Sequence, residues 1–188
     1  MKRALISFVV CLRLFIFPQA SSAQSLEAAD VDREVKAATL HSVGDAAPDF
    51  TCRLTDGREF KLSAHRGKVV LLYFFGKIPG ACVTEMGYIE KAIVKKLGDR
   101  DDFAVLAVGN RLEREEVVNL AGQNKITLLM AADPQAEVFK RYFLKYVPRV
   151  VVVRKDGSIA YQRSGYKELE GILELQEVVS RELRQAGR

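Results

Sequence analysis

LLYFFGKIPGACVTEM, residues 71–86, carries an apolar strand through a Gly/Pro turn into a helix that holds one cysteine, Cys82. Val69 to Phe75 is an unbroken β-branched and aromatic run, the pattern of a strand buried on both faces. Gly76 to Gly80 interrupts it, and a helical pattern starts near Ala81. Cys82 therefore falls in the first helical turn, where unpaired backbone N–H groups and the helix dipole favour an anion and lower a thiol pKa. The plainer reading of the same residue is a small buried core side chain.

Working outward, Phe50, Cys52 and Leu54 share one face of an alternating segment, Asp56-Gly57 follows, and Glu59 to Leu62 alternates again. This is a β-hairpin signal. Beyond Cys82, Met86, Ile89, Ile93, Val94 and Leu97 have helical spacing, Phe103 to Val108 reads as a strand, and Arg111 to Gln123 as a helix. Ile126 to Met130 reads as a short strand, and Asp133-Pro134 as the cap and first residue of a helix reaching Phe143. Val150 to Val153 and Ser158 to Gln162 flank Asp156-Gly157 as a second hairpin, and Leu169 to Leu183 is a closing amphipathic helix. Such an order predicts an α/β sandwich around a mixed sheet.

The 188 residues, 28% charged and 48% hydrophobic, suit one globular domain with a sizeable core. Lys2 and Arg3 precede the apolar stretch Ala4 to Phe17, and Ser21-Ser22-Ala23 offers small residues for cleavage before Gln24. Residues 1–23 read as a secretory signal peptide, with an uncleaved anchor as the alternative given Arg13 within the apolar stretch. The expected product is exported to the periplasm, and it meets a membrane only through an uncleaved leader. The formal charge of +5 comes from 29 basic against 24 acidic residues; without Lys2, Arg3 and Arg13 it is 26 against 24, or +2. Nothing in that balance points to nucleic acid. Residues 24–42 read as a tether or short helix, and 43–188 as the domain. Cleavage leaves Cys52 and Cys82, which in an oxidising compartment allow a disulfide between them, two free thiols or an intermolecular bond. His41 and His65 have no metal-ligand spacing with a cysteine or carboxylate, so no metal or other cofactor is expected. Glu85 reads either as a neighbour of Cys82 or as a cap of its helix.

Together these segments resemble the redoxin branch of the thioredoxin superfamily, the TlpA-like and AhpC/TSA-like proteins. Their usual text is a strand, W-C-x-x-C, then a helix opening x-x-E-M-P, and Ala47-Pro48-Asp49-Phe50 matches their A-P-D-F opening. On that pattern Cys82 is the second cysteine, Pro79 stands at the first and Ile78 at the tryptophan, so the motif reads P-x-x-C. The resemblance covers about residues 43–185. It implies a thioredoxin-like fold, a cis Val147-Pro148 bond facing the helix of Cys82, and a substrate groove at Pro79, Gly80, Val147 and Pro148 for an extended thiol-bearing peptide. Peroxiredoxins, by contrast, carry Thr where Pro79 stands and Arg where Pro148 stands; Arg149 is one residue displaced, which sends its side chain to the other face of the strand.

Three readings follow. One is an exported thiol-disulfide oxidoreductase-like protein relying on Cys82 alone, with Cys52 as a possible second thiol, a thiol-bearing protein or peptide as partner, and Pro79 and Gly80 opening the turn to expose Cys82. Another is a redox-silent module that keeps the Pro148 groove for peptide binding. The third is a peroxidase whose partner is peroxide.

Overall fold

The computed structural model describes residues 21–77 and 79–185, with side chains from residue 29 and without that of Pro79. Of the leader reading, 1–23, all but the last three residues lie outside this range, and no described helix is long and apolar enough to cross a membrane. The chain forms two compact units, Met1–Arg33 and Glu34–Arg188. Helix α1 (Ser21–Ala37) contains the exposed Arg33–Asp30 ion pair of the first unit and ends inside the second.

In the second unit a hairpin of β1 (Thr51–Arg53) and β2 (Glu59–Lys61) pairs antiparallel, with Cys52 opposite Phe60. Strand β3 (Val69–Phe75), with all seven residues buried, leads to α2 (Pro79–Ile89), which runs through a π turn at Glu90–Val94 into α3 (Lys95–Leu97). Next come β4 (Phe103–Asn110), α4 (Arg114–Asn124), β5 (Met130–Asp133), α5 (Phe139–Tyr142), β6 (Arg149–Val153), β7 (Ile159–Ser164) and α6 (Leu169–Arg184). The main sheet has the order β5-β4-β3-β6-β7; β4 is parallel to β3 and β5, while β6 is antiparallel to β3 and β7. It is the expected mixed sheet with helices on its faces and a small N-terminal hairpin.

Alternation along β3 divides the core. Val69, Leu71, Tyr73 and Phe75 face α2 and α6 with Cys82, Met86, Ile89, Ile172 and Leu175. Val70, Leu72 and Phe74 face the other way, onto Phe50, Phe60, Phe139, Tyr142 and Phe143. Each large apolar side chain so buried contributes about 1.5–3 kcal/mol relative to exposure.

Two elements depart most from the sequence reading. The strand expected at 126–130 starts only at Met130, because the left-handed Lys125 closes α4, Ile126 N–H still bonds the Ala121 carbonyl, and Thr127 N–H is held by the Glu90 carboxylate at 3.0 Å. The helix expected from Pro134 is only Phe139–Tyr142. Asp133 does act as a cap, but its carboxylate takes the N–H groups of Glu137 (2.7 Å), Val138 (3.3 Å) and Phe139 (2.9 Å), which folds residues 134–137 into a turn with Ala136 at φ 57°.

Candidate functional site

The first turn of α2 is where β3 delivers it, at the end of the central strand. Gly80 is exposed and a methyl group there would meet nothing within 4 Å, whereas Cys82 is only 2% exposed. Of the two sequence readings of Cys82, the exposed, acidified thiol is corrected and the small buried core side chain is the one observed. Cys82 points inward among the core side chains beneath α2, and burial pushes its pKa up more than the Gly76 N–H and the Tyr73 hydroxyl pull it down; the Glu85 carboxylate adds to the rise. Pro79 opens the helix, but its side chain lies outside the described residues.

Glu85 is not an exposed cap. It is completely buried, one turn below Cys82, and forms an ion pair with Arg163 of β7, a side chain only 5% exposed. Tyr73 of β3 completes the cluster: its hydroxyl lies 3.2 Å from the second Glu85 oxygen and 3.1 Å from the Cys82 carbonyl, both acceptors. Arg163 also donates to the Gly165 carbonyl at 2.7 Å and runs beneath Gly171 of α6, where a methyl group would sit 3.2 Å from its Nη1. Burial raises the Glu85 pKa, offset in part by Arg163 and Tyr73. Sequence reasoning missed both partners. Tyr73 is the one hydroxyl in an otherwise apolar β3, and Arg163 lies opposite Val150, whose face it shares with Cys82; the first was visible in the sequence, the second only once the register is known.

The second wall of the site is the loop before β6. Val147-Pro148 is cis, as the resemblance implies, with Val147 half-buried and Pro148 buried. Gly76 joins the two walls. A methyl group on Gly76 would lie 2.9 Å from the Val147 Cγ2, and the Gly76 N–H favours the Cys82 thiolate. Thus the thiol and the cis-proline loop meet across one glycine.

Cys52 is elsewhere. It packs on the Phe50–Phe74 side of the sheet, while Cys82 belongs to the α2–α6 side, and both thiols are free. Burial, with help from the Asp133 and Glu59 charges, pushes the Cys52 pKa up to about 11. Arg149 lies opposite Phe74 on that same side, its guanidinium 4.5 Å over the Phe143 ring. It does not approach Cys82, so the peroxidase reading loses the cation that would polarise peroxide. His41 and His65 bond the carbonyls of Arg141 (3.0 Å) and Lys61 (2.9 Å), and no cluster fit to hold a metal occurs among the described residues.

A central mixed sheet, a helix leaving its middle strand with a cysteine in the first turn, and a cis-proline opposite define a thioredoxin-like protein. Residues 42–177 match the model of the Redoxin family, and the chain belongs to that family. It is 31% identical over 136 residues to the thiol-disulfide oxidoreductase ResA of Geobacillus kaustophilus (strain HTA426), covering 71% of this chain and 76% of that one. A solution structure from Bacteroides thetaiotaomicron, described as a candidate protein disulfide isomerase, superimposes with a TM-score of 0.75 and 34% identity over 79% of this chain and 94% of that one. A secreted disulfide oxidoreductase of Mycobacterium tuberculosis superimposes with a TM-score of 0.60 over 70% and 95% of the two chains; at 17% identity it speaks for the fold alone.

Proposed function

We propose that this chain is an exported thiol-disulfide oxidoreductase-like protein that captures a thiol-bearing protein or peptide through Cys82 alone. Its leader is 1–23, its linking segment 24–42 and its working domain 43–188. The observation that carries the reading is the meeting of Cys82 and the cis Val147-Pro148 loop across Gly76. An extended partner lying along Val147 and Pro148 by backbone pairing brings its disulfide to the first turn of α2, which opens to present the buried Cys82 sulfur. The Cys82 thiolate attacks one partner sulfur, a bond forms between them, the partner's S–S bond breaks and its other sulfur leaves as a thiolate. With proline at position 79 and Cys52 across the sheet, neither supplies a resolving thiol; release takes a second thiol from solution, which attacks the mixed disulfide and returns Cys82 to its starting state.

The family's ResA-type relatives, named as thiol-disulfide oxidoreductases, support the reaction class. The burial of Cys82 favours a second reading, in which the groove binds an extended peptide and the thiol is silent. Incubation with oxidised glutathione and mass spectrometry separates them. The first reading expects a glutathione adduct on Cys82 in the folded protein, absent in Cys82→Ser and removed by added thiol. Protein that stays unmodified while folded, and reacts only when unfolded, leaves the binding module standing.

A further inference from the structure

Arg149 is 2% exposed, yet the groups it meets are neutral. Its Nε donates to the Tyr146 carbonyl at 3.3 Å, its Nη2 to the Lys145 carbonyl at 3.1 Å and its Nη1 to the Thr39 hydroxyl at 3.0 Å. A buried guanidinium is costly to desolvate, and this one is directed to the two consecutive carbonyls that precede Val147-Pro148. The segment it grips is held from the other side by the end of α1. The Thr39 hydroxyl donates onward to the Val35 carbonyl at 2.7 Å, and the Tyr146 hydroxyl donates to the Glu34 carboxylate. Backbone bonds close the arrangement: Leu40 N–H to the Tyr142 carbonyl at 3.0 Å, and Leu144 N–H to the Ala38 carbonyl at 2.8 Å. Tyr146 itself sits at φ 67°, a region that a bulky side chain adopts only when its surroundings impose it. Residues 142–146 are thus fastened along their length, and Val147 emerges from them onto Gly76.

We propose that residues 34–40 and Arg149 form a clamp that fixes the Val147-Pro148 loop as one wall of the binding groove, with Arg149 as its positioning residue. The inference rests on the reading of that loop as a groove for an extended thiol-bearing segment. It adds that the stretch leading into the domain, which in sequence reads as a tether or short helix, is part of the recognition apparatus. Linkage makes the effect reciprocal: whatever occupies the groove must also tighten the clamp.

The test uses the full chain and the variants Thr39→Val, Tyr146→Phe, Arg149→Met and Arg149→Lys. Amide hydrogen exchange is read at Leu40 and Leu144 and compared with β3. The clamp predicts exchange at least about tenfold faster at Leu40 and Leu144 in Thr39→Val combined with Tyr146→Phe, with β3 amides unchanged. It also predicts a severalfold higher oxidised-glutathione concentration for half-maximal modification of Cys82, at an unchanged limiting rate. Arg149→Lys recovers part of what Arg149→Met loses. Unchanged exchange at Leu40 and Leu144, or acceleration only in step with β3, overturns the clamp; if Arg149→Met does not fold, the Thr39 and Tyr146 variants decide alone. Should Cys82 of the parent take no glutathione at all, the capture reading fails, while exchange still judges the clamp.

Discussion

At Cys82 two influences oppose each other: the Gly76 amide and the Tyr73 hydroxyl favour the thiolate, while burial and the Glu85 carboxylate favour the thiol, and burial is the larger. In a Cys52→Ser background, alkylation of Cys82 followed against pH should therefore turn on above about 8.5, the value of a free thiol, and should speed up on unfolding. A midpoint below that value would show that the first turn of α2 opens in solution and that the dipole then prevails. Gly76 carries a sharper expectation. Val147 is β-branched and stiff, so a methyl group 2.9 Å from its Cγ2 cannot be absorbed by a rotamer change, and Gly76→Ala should cost about 1–3 kcal/mol in denaturant unfolding. The cysteine's position was legible, because strand, turn and helix are written contiguously in residues 69–97. Its burial was legible only as one of two readings, since the β7 and α6 that lie beneath α2 come much later in the chain.

Between elements, the Glu85–Arg163 pair ties α2 to β7 beneath the thiol. Removing one partner leaves an uncompensated buried charge, so Arg163→Met should destabilise by about 3–5 kcal/mol, measured by chemical denaturation. The double variant Glu85→Gln with Arg163→Met should lose less than Arg163→Met alone; additive losses would mean that the pair is not coupled in solution. Sequence reading left Glu85 as either a neighbour of Cys82 or a cap of its helix, and neither local reading can see an arginine 78 positions away. The capping box at α4 went the other way. Glu116 accepts the Glu113 N–H at 2.9 Å, which explains a helix start at Arg114 rather than the Arg111 that spacing suggests. Strands were legible wherever they are apolar and central; β5, short and at the edge, was displaced by contacts its own residues do not encode.

For the whole molecule, acid stability has an identifiable contributor at the bottom of the sheet. Arg100 and Lys155 bring Asp102, just before β4, down to about 2. A folded pKa below the unfolded value of about 3.9 means that the stabilisation is complete above about pH 4 and fades as pH falls towards 2. Asp102→Asn should therefore lower stability at neutral pH and flatten its decline between pH 4 and 2; an unaltered acid limb would place the dependence elsewhere. The overall architecture was the most legible level, because alternation of apolar runs, Gly/Asp turns and amphipathic spacing recurs along the chain. What could not be read was which face each functional group would choose, since one residue of register reverses it.

The sheet that keeps Cys52 and Cys82 on opposite faces also sets an order of events. In an unfolded chain nothing separates them, and oxidation would close a loop that β3, threaded between the two sulfurs, cannot later accommodate. Refolding with oxidant present from the start should accordingly trap non-native, cross-linked chains, whereas oxidant added after collapse should find the two thiols beyond each other's reach. A race between folding and oxidation of this kind would turn on how soon the central strand is in place.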